Sequence, residues 1–555
     1  MDKALAGLDD HQRLVATTRR GPICVLAGPG TGKTRALTSR IAHYVSNGAQ
    51  EPDQILALTF TTKAAQEMMS RLRRLGVGGV EVRTFHSAAL SQLSFFWPSL
   101  TGGSLPEIVP RKGPIVAKAL DNLSINIKPR IVRDLVSEIE WRKSRDLTVE
   151  EYSSIRSISA SRPVGRLSMD SLVGIHEEYE KLKDQSKQID FEDVLLAALG
   201  MLRDEGKITE QVHSRYSTFL VDEYQDVSPV QQSLLEAWIG DRDDLAVVGD
   251  VGQTIFSFAG ATNEYLLNFP KRYPGAEVIK LENNYRSGTE IVALANRVLA
   301  GSPGAVSLRA SEDRFDQVHR YIAMDDHHEA AFVAGKIREI FKREDEDGSV
   351  AILVRSALQL PAIETALRDA GIDFDVQDSR AFFDQPIIKR ALMEIRGAAV
   401  AGVEGKLSIV VSDILIGLGL PPNLSDVDLA KQSSQNGLAA IKQLADGLNE
   451  SITLKEFSEL LVVQAKIGEA PTEASVSIST IHSAKGREWS TVFAVGMNEG
   501  IFPSSHSLSG ESLEEERRLF YVAVTRAKRE LYLTGSERDS RGNARKPSRF
   551  LDNDI

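Results

Sequence analysis

The sequence predicts an α/β protein in which two regions of alternating strands and helices are each interrupted by a helical stretch. Three observations predict this class. A glycine-rich turn separates the short apolar run of residues 23–27 from an amphipathic helix. Strand and helix patterns alternate over about the first 90 residues and again from residue 318 onward. Helical patterns without strong strands fill residues 91–204 and 381–470.

The composition is typical of a soluble globular protein. The 555 residues are 42% hydrophobic and 26% charged, enough for three or four packed units of ordinary domain size. No apolar run approaches the roughly 18 residues that a membrane-spanning helix needs. The first ten residues lack the basic and apolar regions of a signal peptide. We therefore expect a cytoplasmic protein with no membrane partner.

Cysteine content and net charge exclude some kinds of site and some modes of nucleic-acid binding. The single cysteine, Cys24, excludes an intramolecular disulfide and a cysteine-cluster zinc site, and its apolar neighbours favour a core residue over a reactive thiol. The net charge of −11 argues against coating of nucleic acid by bulk attraction, although it leaves room for a local basic groove. The basic tail at 541–555 could contribute to a nucleic-acid-binding surface or could simply be a solvated chain end, and the solvated end is favoured.

The glycine-rich turn is a phosphate-binding loop in the context that such a loop requires, with a strand before it and a helix after it. Its glycines let backbone N–H groups converge on phosphate oxygens, and the helix N-terminus adds partial positive charge. The lysine is expected to reach the β- and γ-phosphates, and the threonine after it to hold Mg²⁺. We therefore predict a nucleoside triphosphate site formed by Ala27, Gly28, Pro29, Gly30, Thr31, Gly32, Lys33 and Thr34.

An acidic pair follows the predicted buried strand Thr218–Val221. At the carboxyl end of a strand beside a phosphate loop, Asp222 is expected to hold Mg²⁺ together with Thr34. Glu223 is expected to orient or deprotonate the attacking water. The pair therefore predicts hydrolysis of the bound nucleotide.

Aromatic and hydroxyl side chains follow two more predicted strands, Gln54–Phe60 and Val80–Thr84. This mixture is typical of surfaces that stack on bases and bind phosphates. Packing of Phe60 and Phe85 in the core is an equally good interpretation from these two segments alone.

The loop after the predicted strand Leu245–Gly249 combines two kinds of side chain. Gln253 suits a sensor of the γ-phosphate or of the attacking water. Phe256 and Phe258 alternate with small residues, as a base-stacking platform does.

Three further side chains are candidates for contacts with the nucleotide. Tyr285 is suited to stack on adenine, and Arg286 to place positive charge on the transferring phosphoryl group. Gln12, upstream of the phosphate loop, offers one donor and one acceptor to a base edge, which alone is a weak signal.

The second α/β alternation begins with the predicted strands Val318–Ala323 and Ser349–Val354 and resumes after residue 470. A helix predicted over Leu513–Ala527 is acidic in its first turn and basic at its end, which matches the helix dipole. This helix carries Arg526, a candidate arginine finger.

Taken together, these motifs resemble those of superfamily 1 helicases of the UvrD/Rep/PcrA type. They cover nearly the whole chain in the order of that family. Within the family the chain is most similar to a bacterial UvrD paralogue whose longer members add a four-cysteine segment and an HRDC domain, which would begin where this chain ends. The motifs are LDDHQ, AGPGTGKT, LTFTTKAAQEM, RTFHS, VDEYQD, VVGD..Q, LENNYRS, STIHSAKGREW and EEERRLFYVAVTRA.

The resemblance implies two RecA-like P-loop NTPase domains, each with a helical insertion subdomain, and ATP in the cleft between the two cores. It also implies 3′→5′ movement on single-stranded DNA, with 3′-tailed duplex as a substrate, in a nucleoid-associated cytoplasmic bacterial protein. The implied domains are a first core (1–90 and 205–284), its insertion (91–204), a second core (285–380 and 471–540), its short insertion (381–470) and the basic tail (541–555).

The resemblance also assigns nucleotide contacts residue by residue. Gln12 reads adenine, and the side chains of Arg35 and Tyr285 sandwich its ring. Glu488 faces the ribose. The catalytic set is Glu223 and Gln253, with Arg286 and Arg526 converging on the γ-phosphate.

The implied DNA track crosses the tops of both cores. It would be lined by Phe60, Thr84, His86, Phe256, Phe258 and His482.

Three departures from the family pattern bear on function. Ala259 stands where most members have arginine, Arg487 replaces the usual leucine before Glu488, and the second insertion is short. The expected function is an ATP-dependent DNA helicase of repair or recombination. The alternatives are a translocase that displaces bound proteins and unwinds little without a partner protein, and an ATP-dependent DNA clamp that does not hydrolyse ATP.

Overall fold

The computed structural model describes residues 3–19, 21–109, 111–158, 164, 167–311, 316–343, 348–376, 383, 386–403, 405–421, 432–446, 448, 452–467 and 476–551. The chain divides into two compact units, Met1–Arg314 and Phe315–Ile555. The finer division into cores, insertions and tail stays a prediction. Its boundaries at 380–381 and 470–471, and the last four residues of the predicted tail, lie outside the described residues.

The first unit alternates strands with helices and then contains a long, mainly helical stretch. Its elements in chain order are α1 (Asp10–Thr17), β1 (Ile23–Ala27), α2 (Lys33–Ser46), β2 (Ile55–Thr59), α3 (Thr62–Arg74), β3 (Glu81–Thr84), α4 (Phe85–Thr101), β4 (Glu107–Ile108), α5 (Gly113–Asn122), α6 (Pro129–Ser144), α7 (Val149–Ile158), α8 (Met169–Gln185), β5 (Gln188–Ile189), α9 (Phe191–Asp204), α10 (Gly206–Arg215), β6 (Thr218–Val221), α11 (Pro229–Ile239), β7 (Leu245–Gly249), α12 (Glu264–Leu267), α13 (Phe269–Arg272), β8 (Glu277–Leu281), β9 (Asn283–Asn284), α14 (Thr289–Val298) and β10 (Arg309–Ala310).

The main sheet of the first unit is parallel, with described strands in the order β3-β2-β6-β7-β1-β8. The strands β2, β6 and β7 are buried along their whole length, as expected for a sheet covered by helices on both faces. Cys24 in β1 is buried in the core, as predicted, and burial raises the pKa of its thiol to about 12. The predicted α/β class is confirmed here.

Helices α5–α8 have an apolar core of their own, and a set of buried and half-buried charges joins them to α9. We call Lys143 of α6, Glu180 and Lys183 of α8, and Asp190 and Asp193 at the start of α9 the insertion ion cluster. The Asp190 carboxylate lies 2.7 Å from the Lys143 ammonium and 3.2 Å from that of Lys183. Burial alone would raise the pKa of Asp190, but the two ammonium groups hold it well below its usual range. The cluster therefore connects the helical stretch to a helix whose apolar face lies in the sheet-packed core.

The second unit repeats the α/β plan with a different helical stretch. Its elements are β11 (Gln317–Asp325), α15 (Asp326–Ile340), β12 (Val350–Val354), α16 (Leu360–Asp369), β13 (Phe374–Val376), α17 (Pro386–Val400), α18 (Leu407–Gly417), α19 (Gln432–Asp446), α20 (Leu454–Ile467), β14 (Val476–Thr480), β15 (Trp489–Ala494), α21 (Gly510–Val524) and β16 (Ala527–Arg538).

The sheet of the second unit is also parallel, and its described strands follow the order β11-β16-β15-β12-β14-β13. Its core is formed by β12, β14 and β15 against α15 and α16. The helices α17–α20 pack around a separate apolar core that includes Ile388, Val411, Ile441 and Phe457. In the part of the chain that the structure describes, no helix combines the length and apolar character needed to cross a membrane.

The helix predicted over Leu513–Ala527 is displaced in the structure. It extends from Gly510 to Val524, and Ala527 begins β16 instead. Ala527 pairs with Trp489 of β15, and the Trp489 backbone N–H donates to the Arg526 carbonyl. Residues at the end of the predicted helix therefore form sheet hydrogen bonds in place of helical ones. Arg526 therefore lies in the turn between a helix and a strand.

The basic tail is only partly a solvated end. The Arg549 guanidinium lies 2.8 Å from the Glu499 carboxylate, and Arg545 pairs with Asp326. Phe550 is buried against Phe502 and Phe520. These arginines serve packing of the second unit and do not form an open basic patch.

Candidate nucleotide and DNA site

The loops that carry the predicted chemistry lie side by side at one edge of the first sheet. The strands β6, β7 and β1 are neighbours, and the acidic pair, the Gln253 segment and the phosphate loop follow their carboxyl ends. Ligands of open parallel sheets bind at this edge. The topology therefore brings together residues that are far apart in sequence.

The phosphate loop has the backbone conformation that its glycines permit. Gly30 and Gly32 have φ angles of +72° and +79°, in the left-handed region that disfavours other residues. A Cβ on Gly30 would lie 2.7 Å from the Arg286 Cβ, and one on Gly32 would lie 2.6 Å from the Gln12 amide nitrogen. Both positions thus require glycine for conformation and for space.

Hydrogen bonds from other segments brace this loop. The Asn284 side-chain amide donates to the Pro29 carbonyl (2.8 Å), and the Tyr285 backbone N–H donates to the Gly30 carbonyl (2.8 Å). The Gln12 side chain donates to the Thr31 carbonyl (2.9 Å). With these carbonyls occupied, the N–H groups of the loop stay available for an anion.

Thr34 and Asp222 present oxygen ligands to the same point. The Thr34 hydroxyl donates to the Asp222 carboxylate at 3.0 Å. Burial, reinforced by the charge of Glu223, raises the pKa of Asp222 to about 6. Hydroxyl and carboxylate oxygens are the ligands that Mg²⁺ prefers, and a divalent cation here would favour the charged carboxylate. These two residues fit the Mg²⁺ role that the sequence predicts.

The Glu223 carboxylate is held toward the phosphate loop. One oxygen lies 3.8 Å from the Lys33 ammonium, and the other accepts from the Gln225 amide at 2.5 Å. Glu223 has a φ of +54°, a strained conformation for a residue with a side chain, of the kind concentrated at functional sites. This geometry suits a carboxylate that must face the γ-phosphate position.

A relay of hydrogen bonds connects Glu223 to Gln253. The side-chain Oε1 of Gln225 accepts from the Asp250 backbone N–H (2.9 Å). The Asp250 carboxylate accepts from the side-chain amide of Gln253 (2.8 Å). Asp250 is buried, which raises the pKa of its carboxyl. Glu223, the predicted general base, and Gln253, the predicted sensor, are therefore held through shared partners.

The three residues assigned to adenine, and Arg286, which is assigned to the γ-phosphate, lie around the same loop. Gln12 is buried, whereas Tyr285 is 38% exposed. Arg35, in the first turn of α2, donates to the Ala6 carbonyl (3.3 Å). Arg286 is half-buried, with its Cβ close to Gly30. All four belong to the first unit.

The predicted stacking residues of the first unit form an exposed aromatic face. The rings of Phe60 and Phe256 are stacked 6.0 Å apart, and Phe258 meets Phe256 edge-on at 6.0 Å. Phe60 is 38% exposed and Phe258 is 41% exposed. Phe85, by contrast, is buried against Trp238, so the core interpretation is correct for that residue.

Thr84 and His86 occupy the start of α4. The Thr84 hydroxyl accepts from the Ser87 amide as the helix N-cap. The His86 ring stacks on Phe191 with centroids 3.8 Å apart, and burial lowers the pKa of His86 to about 3. His86 is therefore neutral at physiological pH and contributes a ring surface without charge.

His482, Glu488 and Arg526 belong to the second unit. The Arg526 guanidinium is buried and donates to the carbonyls of Val522 (3.1 Å) and Arg487 (3.0 Å). These bonds place Arg526 next to the segment that carries Glu488, whose carboxylate lies 3.3 Å from Lys528. Burial lowers the pKa of His482 to about 4, with the nearby Arg355 charge adding to the effect.

Comparison with known proteins identifies the family. The UvrD/REP helicase N-terminal domain matches residues 8–274, and the UvrD-like helicase C-terminal domain matches residues 279–400 and 430–538. The chain belongs to the UvrD/Rep helicase family.

Relatives of this UvrD/Rep-family protein match it over nearly its whole length. It is 40% identical to the ATP-dependent DNA helicase UvrD2 of Mycobacterium tuberculosis, over 99% of this chain and 82% of that protein. It is 30% identical to DNA helicase II of Escherichia coli and 27% identical to the ATP-dependent DNA helicase PcrA of Bacillus subtilis, in both cases over 99% of this chain, covering 87% and 86% of those proteins.

Sequence reasoning missed four residues that shape the site of this UvrD/Rep-family protein. Gln225, Asp250 and Asn284 form hydrogen bonds with Glu223, Gln253 and the Pro29 carbonyl, respectively. Each lies in the same motif as a residue that the sequence assigns to the site. Phe191 is 51% exposed and covers His86. An apolar residue directly after the N-cap Asp190, outside the apolar face of α9, is the signal that could have revealed it.

Proposed function

We propose that this protein is an ATP-dependent motor that translocates 3′→5′ on single-stranded DNA and separates 3′-tailed duplex, in DNA repair or recombination. ATP and Mg²⁺ would bind at the phosphate loop. Soluble bacterial cytoplasm, in association with the nucleoid, is the proposed location.

One observation carries the proposal. The short loop after β7 carries both Gln253, linked to the Glu223 carboxylate through Asp250 and Gln225, and the rings of the half-buried Phe256 and the exposed Phe258. Because these residues share one short loop, a change at the γ-phosphate position that moves Gln253 would also shift the aromatic face. This arrangement supports a motor in which hydrolysis changes the grip on stacked bases.

The hydrolytic step follows from the chain's own groups. Glu223 would take a proton from a water molecule whose oxygen attacks the γ-phosphorus, while the bond from that phosphorus to the β,γ-bridging oxygen breaks. Lys33 and Arg286 would offset negative charge on the phosphate oxygens, and ADP and phosphate leave. Bound Mg²⁺, held by Thr34 and Asp222, would supply charge neutralisation on the β- and γ-phosphates.

The proposal is tested with phosphate release and strand displacement. We expect single-stranded DNA to stimulate phosphate release strongly, and 3′-tailed duplexes to be separated in preference to 5′-tailed ones. ATP binding without DNA-stimulated release would support a non-hydrolysing clamp, and separation of 5′-tailed duplex alone would contradict the proposed direction.

A second candidate is a translocase that displaces bound proteins and unwinds little without a partner protein. Two features favour it. The exposed Ala259 beside Phe258 has only a methyl group, which cannot form a polar link between the DNA face and the nucleotide, and the second helical stretch is short. Opening each base-pair step costs about 1.4 kcal/mol on average, so a weakly coupled motor would stall at a junction. Efficient unwinding of a long 3′-tailed duplex by the protein alone, at concentrations far below the DNA, would exclude this candidate.

The aromatic face yields a prediction on DNA affinity. Phe258→Ala should weaken binding of single-stranded DNA by about 1–3 kcal/mol, with little dependence on sequence, because stacking uses the face of any base. Fluorescence anisotropy with several oligonucleotides measures this loss.

Phe95→Ala provides the matched control, since Phe95 is a 75% exposed phenylalanine on α4 of the same unit. Its DNA affinity should equal that of the unchanged protein. Equal affinity in Phe258→Ala as well would assign Phe258 to packing and remove it from the DNA track.

A further inference from the structure

The carboxylate of Asp9 joins two parts of the chain that meet at the predicted base site. Its Oδ2 accepts from the Tyr285 hydroxyl at 2.5 Å and from the Asn283 amide at 3.2 Å. Its Oδ1 accepts from the Gln12 backbone N–H at 2.7 Å. The side chain therefore contacts both the segment that carries Gln12 and the segment that carries Tyr285.

The first of these contacts is a helix cap. Asp9 is the N-cap of α1 and forms a capping box with Gln12. The cap fixes the first turn of α1, from which the Gln12 side chain reaches the Thr31 carbonyl. A cap needs only one acceptor oxygen, so the bonds to Tyr285 and Asn283 are additional to it.

The bond to Tyr285 is charge-assisted. Burial alone would raise the pKa of Asp9, but hydrogen bonds from Gln12, Tyr285 and Asn283 hold it below its usual value. Burial and the Asp9 carboxylate raise the pKa of Tyr285 to about 12. At neutral pH the pair is thus a carboxylate and a phenol, which form a short and strong hydrogen bond.

The same N-terminal segment also positions Arg35. Its guanidinium donates to the Ala6 carbonyl, and a Cβ on Gly7, where φ is +68°, would lie only 2.9 Å from the Arg35 Nη2. Residues 6–9 therefore contact the two side chains assigned to opposite faces of the adenine ring.

We propose that Asp9 is a positioning residue for nucleotide recognition, which orients the Tyr285 ring for stacking on adenine. This inference rests on the proposed function, because it requires that ATP bind at the phosphate loop. The hydrogen bonds of the Asp9 side chain would be unaffected by the phosphates, because they join Gln12, Asn283 and Tyr285 and not the phosphate loop. Asp9 should therefore affect the base-dependent part of affinity and leave the hydrolytic groups in place.

Asp9→Ser separates this role from capping. Serine is also a good N-cap, but its hydroxyl is too short to reach Tyr285 as well. We expect a rise of about tenfold in the KM for ATP, as for loss of a charge-assisted hydrogen bond, with a much smaller change in kcat. Inhibition by inorganic tripolyphosphate, which lacks a base, should be unchanged.

Tyr285→Phe is the second variant, because it keeps the ring and removes only the hydroxyl. It should raise the KM for ATP to a similar extent, and the double variant should be no worse than Asp9→Ser alone, since Asp9→Ser already removes the bond to the Tyr285 hydroxyl. Thermal unfolding of each variant checks that α1 remains folded.

The outcomes separate this inference from the proposed function. An unchanged KM for ATP in both variants, with DNA-stimulated ATPase intact, would overturn the role of Asp9 alone. Equal weakening of ATP and tripolyphosphate would also overturn it, because the effect would then be structural. Absence of ATP binding by the unchanged protein would overturn the proposed function itself.

Discussion

Replacement of Glu223 by glutamine should abolish most ATP turnover while ATP and DNA still bind. The change removes the carboxylate that would accept the proton of the attacking water, and general-base assistance contributes roughly 10²–10⁴-fold to such reactions. Glutamine keeps the size and the acceptor for the Gln225 amide, so the loop geometry should persist. Phosphate release under saturating ATP and single-stranded DNA measures the loss.

The matched control is Glu210→Gln, which alters an exposed carboxylate on α10 and should hydrolyse ATP normally. Binding of a fluorescent ATP analogue should be unchanged in both variants. Hydrolysis by Glu223→Gln within tenfold of the unchanged protein would reject Glu223 as the general base.

Arg526→Ala should lower kcat by about 10³–10⁵, the range found for arginine fingers, and weaken ATP binding far less. The guanidinium would offset charge that develops on the transferring phosphoryl group. In the second unit its fork is oriented by the carbonyls of Val522 and Arg487. Arg526→Lys keeps a charge but cannot reproduce this fork, so it should restore little activity.

Thermal unfolding must accompany these kinetics, because truncation of Arg526 removes a buried guanidinium and its hydrogen bonds to the Val522 and Arg487 carbonyls. Arg517→Ala, on the helix α21 that precedes Arg526, is the control for removal of an arginine that is not assigned to the site. A change confined to the KM or to stability would make Arg526 a structural residue.

The fold class could be predicted because its strands are short buried apolar runs that are followed by polar or charged motif residues. The strand β1 with its phosphate loop and β6 with its acidic pair are examples. Local patterns of this kind need no knowledge of neighbouring strands. The end of α21 was misjudged because Ala527 fits a helical pattern equally well, and only pairing with Trp489 decides between helix and strand.

The hydrogen bonds that hold the site residues in place could not be predicted, because they depend on which strands are neighbours in the sheet. Gln225 meets Asp250 only because β6 and β7 are adjacent in the sheet. Asn284 reaches the phosphate loop because β8 lies beside β1. Phe60 and Phe85 each follow a strand of the same sheet. Phe60 is exposed, whereas Phe85 is the first residue of α4 and its ring is buried in the core.

The insertion ion cluster has a consequence for how the first unit opens. Unfolding of α6 and α8 alone would leave Asp190, which is fully buried, without its two ammonium partners, and breaking a buried ion pair from one side costs about 3–5 kcal/mol. The start of α9 would have to open at the same time, although α9 packs on α4 and α11. Backbone amides of α6, α8 and α9 should therefore exchange with solvent deuterium as one cooperative unit. The helical stretch would then respond to thermal fluctuation as part of the ATP-binding core and would not open as an independent appendage.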